Sequence, residues 1–338
     1  MNGTDVNGTD ETTPLIRAEA LTRHFKVGGV LARNRLHAVE QADLVIGHGE
    51  IVALVGESGS GKSTVARLIA QVYRPTSGEV YYEGRPLASI RSRADMLRYR
   101  SDVPMVFQDP FSSLNPVFRV SHGILRGLKL HRRELRGPQR WAEAVRVVEA
   151  VGLHPGEDVL QRYPYELSGG QRQRIGFAHA LAYRPKLIVA DEPVSMLDVS
   201  IRIGLLNVMT DMRAREGVSI LYITHDLASA RYVADRVIVM YAGHVVEEGP
   251  VEDVLATPQH PYTQLLLSAV PDPRTPARAL EAAPRGEPPK VINPGEGCLF
   301  RPRCPMAVDV CRRVTPRLVS VAADRQVACH VAANQAVC

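Results

Sequence analysis

A glycine-rich run that begins at residue 56 has the residue types and the spacing of a phosphate-binding loop. It reads Gly-Glu-Ser-Gly-Ser-Gly-Lys-Ser, and it follows the apolar run 51–56 and precedes a helical stretch, Ser63 to Val72. Glycines let backbone N–H groups converge on phosphate oxygens, and a helix start adds its positive dipole end. The Lys62 ammonium adds a full charge, and the Ser63 hydroxyl can hold Mg²⁺. The predicted nucleotide site comprises Gly56, Ser58, Gly59, Ser60, Gly61, Lys62, Ser63 and Thr64.

Two carboxylates, Asp191 and Glu192, follow the apolar run at residues 187–190. An acid at the end of a strand beside a phosphate-binding loop can orient Mg²⁺ through water. The adjacent Glu192 is then placed to polarise an attacking water as a general base. One acidic pair after an apolar strand is weak evidence, but its position after a phosphate-binding loop makes the prediction strong.

A second candidate anion-binding surface lies far along the chain, in the pentapeptide Leu167-Ser-Gly-Gly-Gln171. Ser168 can cap the N-terminus of the helical run that follows, and Gly169 and Gly170 allow an anion close to the backbone. This pentapeptide resembles the signature of the ATP-binding cassette (ABC) ATPases. In that family the signature of one subunit closes over the ATP of another, which implies this role for Ser168, Gly169, Gly170 and Gln171.

The other motifs of the ABC family follow in the expected order, and the resemblance implies a role for each. Gln108 matches the residue that contacts Mg²⁺ and the attacking water and links to the membrane subunits. Asp198 matches a loop that crosses the dimer interface, and His225 matches the histidine that contacts the γ-phosphate. Phe25 lies where the family stacks an aromatic ring on adenine, although an ordinary core phenylalanine fits nearly as well. With every catalytic motif present, we expect ATP hydrolysis with Mg²⁺.

Three longer stretches narrow the resemblance to the ATPase subunits of dipeptide, oligopeptide and nickel importers: residues 107–116, 191–195 and 260–271. The resemblance implies two integral-membrane permease subunits, a second ATPase that is a paralogue or another copy, and an extracytoplasmic binding protein. It places the chain peripherally at the cytoplasmic face of the membrane. Di- or oligopeptide is the favoured cargo, and an oligosaccharide or nickel importer is the alternative. A non-transport ABC ATPase is less favoured, since such proteins typically carry two cassettes or a long coiled coil.

Elements that alternate along the chain predict an α/β fold. Residues 14–50 alternate apolar and polar, as antiparallel strands do, whereas apolar runs at 51–56, 187–190 and 220–225 predict buried parallel strands. A hairpin is predicted from residue 237. Trp141, Val145 and Val148 recur at helical spacing within a helical insertion. These elements predict an α/β core with a parallel sheet. The resemblance to the ABC family implies the fuller fold, a P-loop NTPase cassette with a RecA-like parallel-sheet core, an antiparallel β subdomain and a helical subdomain at about 110–180.

Composition suggests four regions. Residues 1–13 are predicted to be a disordered tail, and residues 14–270 a nucleotide-binding domain. Seven of the 24 prolines fall within residues 271–296, which predicts a linker before a module at 297–338. No stretch approaches about 18 consecutive apolar residues, and we expect no spanning helix and no signal peptide. A net charge of +5 without a long basic block predicts no nucleic-acid partner.

All five cysteines follow residue 297, and four of them form a candidate metal site: Cys298, Cys304, Cys311 and Cys329. This arrangement resembles the C-terminal extension of the same importer family. Close cysteine pairs typical of structural zinc are absent, and a cytoplasmic protein disfavours disulfides. A [4Fe–4S] cluster, a zinc ion with His330 as a substitute ligand, and free thiols all stay open. Cys338 is not expected to be a ligand, and the expected role is structural rather than redox.

Overall fold

The computed structural model describes residues 13–28, 33–109, 114–269, 289 and 291–335. Residues 1–12 of the predicted tail at 1–13, most of the predicted linker and Cys338 lie outside these ranges. The strands are Ile16–Lys26 (β1), Arg35–Ile46 (β2), Ile51–Val55 (β3), Ser77–Tyr82 (β4), Arg85–Pro86 (β5), Met105–Val106 (β6), Leu187–Asp191 (β7), Ser219–Thr224 (β8), Arg236–Tyr241 (β9), His244–Pro250 (β10), Val319–Ala322 (β11) and Arg325–Val327 (β12).

The helices of the described residues fall mostly between these strands. They are Lys62–Ile69 (α1), Arg93–Asp102 (α2), Val120–His131 (α3), Pro138–Ala150 (α4), Gly156–Gln161 (α5), Gly169–Leu181 (α6), Val199–Glu216 (α7), Leu227–Val233 (α8), Val251–Ala256 (α9), Pro261–Ser268 (α10) and His330–Gln335 (α11). No helix in the described part of the chain is long and apolar enough to cross a membrane.

The larger sheet has eight strands in the order β11-β12-β10-β9-β3-β8-β7-β6. Five neighbouring strands, from β9 to β6, run parallel. Every residue of β3, β7 and β8 is buried, because helices cover both faces of the sheet. This burial explains the continuous apolar runs in the sequence, and it confirms the predicted parallel core.

The smaller sheet is antiparallel, with the order β2-β1-β4-β5. Strands β1 and β2 are long and pair from Ile16–Ile46 to Lys26–Arg35, with several register shifts between. Side chains on one face, including Leu21, Val39 and Leu44, are fully or almost fully buried in a second core. The alternation predicted over residues 14–50 reflects this one-sided burial.

Helices α3 to α6 form a helical layer that packs on one edge of the parallel core. Val148 of α4 is fully buried, and Trp141 and Val145 are partly buried against the same core. The helical spacing of these three residues therefore follows the buried side of α4.

The C-terminal segment joins the main sheet. Strand β12 pairs with β10 in antiparallel register, with Glu247 opposite Val327. The chain also returns to the smaller sheet before this, since Leu36 and Ile292 form an antiparallel bridge. Ile292 falls within the predicted linker, and its pairing with β2 ties the end of that segment to the cassette.

Candidate functional site

The phosphate-binding loop connects the end of β3 to the start of α1. Gly56 and Gly61 have φ angles of +153° and +104°, and a Cβ at either would lie 2.2 Å and 2.3 Å from a neighbouring carbonyl oxygen. Only glycine fits at these two positions. Ser58 and Gly59 are exposed, Ser60 is buried, and Thr64 lies in the first turn of α1. The loop thus presents its backbone to solvent at its tip.

Lys62 points back into the loop. Its Nζ donates to the carbonyl oxygens of Gly56 and Glu57 at 2.8 Å and 2.9 Å, and its side chain is buried. Burial lowers the pKa of Lys62, while the nearby carboxylates of Glu192 and Asp191 oppose that shift. A buried ammonium bonded only to neutral oxygens is a strong site for an anion.

Ser63 and Asp191 meet beside this ammonium. The Ser63 hydroxyl donates to Asp191 Oδ1 at 2.9 Å, which joins the start of α1 to the end of β7. Burial raises the pKa of Asp191, against the effects of its bond from Ser63 and the nearby positive charges. One hydroxyl and one carboxylate oxygen are ligands that suit Mg²⁺.

Glu192 lies between the other two predicted catalytic side chains. Its Oε2 lies 3.4 Å from Gln108 Nε2 and 3.3 Å from His225 Nδ1. The backbone N–H of Glu192 donates to the carbonyl of Ile223 at 3.0 Å, which fixes the end of β7 against β8. Gln108, Glu192 and His225 follow β6, β7 and β8, and the carboxyl ends of these parallel strands bring them together.

Ser168 and Gln171 form a reciprocal cap at the start of α6. Ser168 Oγ accepts from the Gln171 backbone N–H at 3.2 Å, and Gln171 Oε1 accepts from the Ser168 N–H at 3.0 Å. Ser168 is exposed, whereas a Cβ on the buried Gly170 would lie 2.3 Å from Ile201 Cγ2. Gly170 therefore allows close packing of α6 on α7, while Ser168 faces outward.

Phe25 and Asp198 lie at the surface. Phe25 is partly exposed on β1, edge-on to Tyr73, with the Arg23 guanidinium 4.6 Å from its ring centre. Phe25 is therefore not an ordinary core residue, and it stays a prediction that its ring stacks on adenine. Asp198 is exposed immediately before α7, and its side chain makes no capping hydrogen bond there.

Glu57, Tyr262 and Arg303 are contacts of the loop that sequence analysis missed. The Tyr262 hydroxyl accepts from the Glu57 backbone N–H at 2.8 Å. The Arg303 guanidinium binds the Glu57 carboxylate through two bonds of 2.8 Å and 2.9 Å. Tyr262 lies in the run 260–271 that the sequence singled out, but no local spacing signals its contact with residue 57.

The four predicted cysteine ligands converge in the C-terminal segment. The Cys298 N–H donates to the Cys311 carbonyl at 2.9 Å, and burial raises the pKa of the Cys298 and Cys304 thiols. Backbone N–H groups of Phe300 and Arg301 bond to the Cys298 sulfur.

The spacing of these sulfurs bears on the kind of metal group. Within the described ranges, no three of the cysteines bring their sulfurs within 4.8 Å of one another. A single tetrahedral zinc ion with Zn–S bonds of about 2.3 Å needs sulfurs about 3.8 Å apart. The described residues therefore hold no preformed set of three sulfurs around one ion position. His330, the proposed substitute ligand, has its Nε2 3.0 Å from the Val314 carbonyl.

A separate group of ionisable side chains lies beside Phe25. His24 Nε2 and His37 Nδ1 each lie 2.7 Å from Glu40 Oε2. Burial alone would raise the pKa of Glu40, but its contacts with His24 and His37 outweigh burial and lower that pKa. These three side chains link β1 to β2 through hydrogen bonds, next to the predicted adenine position.

Comparison with known protein families gives two matches. The profile described as ABC transporter matches residues 39–195, and that of the oligopeptide/dipeptide transporter C-terminal region matches residues 246–311. The first spans the phosphate-binding loop, Gln108, the signature and Glu192. The second includes Tyr262, Arg303 and three of the four clustered cysteines.

Curated relatives and solved structures extend the match. The probable peptide ABC transporter ATP-binding protein y4tS of Sinorhizobium fredii is 44% identical over 327 residues, covering 95% of this chain and 91% of the relative. The dipeptide transport ATP-binding protein DppF of Haemophilus influenzae is 39% identical over 325 residues, 96% of this chain and 98% of the relative.

A dimeric post-hydrolysis structure of the ATP-binding cassette MJ0796 with ADP and Pi is also similar. It is 28% identical, with a TM-score of 0.62, and the match covers 70% of this chain and 98% of that one. The predicted cassette fold is confirmed. With its loop, acidic pair and signature in place, the chain belongs to the ATP-hydrolysing cassettes of the ABC transporter family, in the group that carries the oligopeptide/dipeptide transporter C-terminal region.

Proposed function

We propose that this chain is the ATPase subunit that drives import of di- or oligopeptides through two separate permease subunits at the cytoplasmic face of the membrane. The observation that carries the proposal is the convergence of Gln108, Glu192 and His225 beside a phosphate-binding loop. Two relatives that align over nearly their full length are named for peptide or dipeptide transport, and this chain carries the oligopeptide/dipeptide transporter C-terminal region.

In the proposed reaction, the loop and Lys62 bind the phosphates of ATP. The Lys62 ammonium leaves the carbonyls of Gly56 and Glu57 to contact the terminal phosphate. Ser63 and Asp191, which hydrogen-bond to each other here, would hold Mg²⁺, and the ion would neutralise charge that develops on the phosphates. Arrival of the nucleotide thus replaces bonds that the protein makes to itself.

Glu192 is the proposed general base. Its carboxylate polarises the water that attacks the γ-phosphate, while Gln108 and His225 hold that carboxylate from either side. His225 is 56% exposed and Glu192 only 18%, so the histidine can reach the phosphate without being displaced from a core. The role of Gln108 in holding the water is part of the same proposal.

A second ATPase subunit completes the site. Ser168, Gly169, Gly170 and Gln171 cover the ATP bound to the partner, and Asp198 lies along the shared interface. The exposure of Ser168 and Asp198 supports this arrangement, since neither is used in packing within the chain.

The permease is proposed to dock beside Gln108. A cleft of about 210 Å³ lies between β6 and α6, and Val106, Phe107, Gln173 and Tyr183 are among its lining residues. Phe107 is 44% exposed although it is aromatic. Since Phe107 precedes Gln108 directly, a permease segment seated in this cleft would move the catalytic glutamine.

The cysteines are proposed to hold a [4Fe–4S] cluster. The four thiols lie in the same C-terminal segment, and backbone N–H groups bond to the Cys298 sulfur. Anaerobically purified protein should contain iron and show broad absorbance near ~400 nm. The Cys304→Ser variant should lose both, whereas the Cys338→Ser variant should keep both. A colourless protein with stoichiometric zinc would contradict this.

Reconstitution tests the main proposal. The chain is co-expressed with permeases and a second ATPase encoded nearby, and ATP hydrolysis in liposomes is measured with the binding protein. Di- or oligopeptides should stimulate hydrolysis, and Glu192→Gln should abolish the stimulation. Stimulation by nickel or an oligosaccharide but by no peptide would overturn the peptide assignment and leave the ATPase assignment standing.

A further inference from the structure

We propose that Arg303, in the C-terminal cysteine segment, is a positioning residue that sets the conformation of the phosphate-binding loop and thereby the affinity for ATP. The inference rests on the loop being the ATP site, but not on the identity of the transported substrate. It gives the C-terminal segment a role in the ATPase itself.

Arg303 and Glu57 form a planar, two-bond pair across the chain. Nη1 and Nη2 donate to Oε2 and Oε1 at 2.8 Å and 2.9 Å, and the two residues are 246 positions apart. The Arg303 side chain is only 9% exposed. A two-bond guanidinium–carboxylate pair that is shielded from water fixes both position and orientation, which an exposed single-contact pair does not.

Glu57 is held at all three of its polar groups. Its backbone N–H donates to the Tyr262 hydroxyl, its carbonyl accepts from Lys62, and its carboxylate binds Arg303. When ATP binds, Lys62 must leave the carbonyl. The bond to Tyr262, the two bonds from Arg303 and the bond from the Ser60 N–H to the same carbonyl at 3.2 Å then keep the Gly56–Ser58 backbone in place while Lys62 is released.

The C-terminal segment also packs against the cassette at a second position, close to Arg303. Phe300 is 2% exposed and packs against Tyr241 and Tyr262, with ring centres 5.2 Å and 5.6 Å away. Tyr241 follows Met240, whose carbonyl oxygen contacts the Gly56 position. Phe300, through Tyr241 and Tyr262, and Arg303, through Glu57, thus both support the first residues of the loop.

Cys298 and Cys304 flank the short segment that carries Phe300 and Arg303. The short turn Arg301–Arg303 lies between them, and the Cys304 N–H donates to the Arg301 carbonyl at 3.2 Å.

Binding of a fluorescent ATP analogue to the full-length chain tests the proposal, with Arg303→Gln, Arg303→Lys and Glu57→Gln. Arg303→Gln and Glu57→Gln should each weaken binding about tenfold, as expected for loss of bonds between charged groups. Arg303→Lys should recover only part of the loss, because an ammonium cannot make the two-bond fork. Arg301→Gln, on the same turn but without a contact to Glu57, is the matched control and should bind normally.

Further measurements separate positioning from simple destabilisation. In the assembled transporter, KM for ATP should rise about tenfold while kcat changes less than about twofold, because the reacting groups are untouched. The double variant Arg303→Gln/Glu57→Gln should be no weaker than either single variant. Glu57→Gln tests the contact from the cassette side if Arg303→Gln does not fold.

Affinities within twofold of wild type for both single variants, or losses that add in the double variant, would overturn the proposal. Lys62→Ala serves as the reference for the ATP site. If Lys62→Ala abolishes binding while the Arg303 and Glu57 variants bind normally, the ATPase assignment stands and only the positioning role fails.

Discussion

Glu192, the proposed general base, has a strained backbone. Its φ of +47° lies in the left-handed region, which costs a residue with a side chain about 1–2 kcal/mol. The bond from its N–H to Ile223 and the contacts with Gln108 and His225 offset this cost. Because these contacts maintain the strained backbone conformation, the Glu192 carboxylate keeps a fixed orientation.

Glu192→Gln should preserve ATP binding and lower turnover by about 10²–10⁴-fold, the range expected for loss of a general base. The amide keeps the shape of the side chain but cannot accept a proton from water. Turnover is measured as phosphate release by the assembled transporter, and dimer lifetime by light scattering with ATP. Turnover within about threefold of wild type would exclude Glu192 as the base.

At the scale of elements, helix α10 depends on a buried histidine. His260 caps α10, and its Nδ1 accepts from the Tyr262 N–H at 3.0 Å. The backbone N–H of His260 donates to the buried Glu247 carboxylate at 3.0 Å. Burial lowers the pKa of His260 to about 3, because a charged ring would lose both water and its capping function. Since Tyr262 also bonds to Glu57, this cap supports the nucleotide site.

Stability should therefore fall as the pH drops below the unfolded-state pKa of histidine, about 6.5. Between this value and the folded pKa of about 3, the unfolded chain binds a proton that the folded chain excludes. The free energy of unfolding should lose up to about 1.4 kcal/mol per pH unit from His260 in this window, and nothing from it above.

His260→Asn isolates this effect, because asparagine can still cap the helix but does not titrate. In urea unfolding at pH 7, 6 and 5, the variant should lose less stability than wild type as the pH falls. His48→Asn, at an exposed histidine, should behave like wild type. Parallel pH dependences for His260→Asn and wild type would contradict the prediction.

At the scale of the whole molecule, a buried ion pair attaches the C-terminal segment to the cassette. Glu247 is fully buried, and its Oε1 lies 2.7 Å from Arg325 Nη2. Arg325 lies on β12, which extends the main sheet beyond β10. This junction and the Arg303–Glu57 pair are separate attachments, one at the sheet edge and one at the nucleotide site.

Arg325→Met should lower the free energy of unfolding by about 3 kcal/mol, because it leaves the Glu247 carboxylate buried without its cation. Two backbone N–H bonds to Glu247 keep the loss at the low end of the expected range. Urea unfolding measures the change, and Arg317→Met, at an exposed arginine of the same segment, is the control. A loss equal to that of Arg317→Met would show that the pair is dispensable.

The sequence by itself determined the local features of this protein. The phosphate-binding loop, the cap formed by Ser168 and Gln171, and the buried strands β3, β7 and β8 each depend on residues close together in the chain. The spacing of these residues reflects hydrogen bonds and burial within a single element. From that spacing alone, the sequence predicted the α/β core and the ATP site. The resemblance to a family supplied the roles of Gln108, Asp198 and His225, which spacing alone does not give.

Tertiary structure alone decided which distant residues touch. Gln108, Glu192 and His225 meet because β6, β7 and β8 are neighbours, and a local pattern does not encode strand order. Arg303 reaches Glu57 only because the C-terminal segment docks through β12 and Phe300. A charged residue shows the same pattern in sequence whether its partner is solvent or a carboxylate 246 positions away, so this link could be found only in the folded chain.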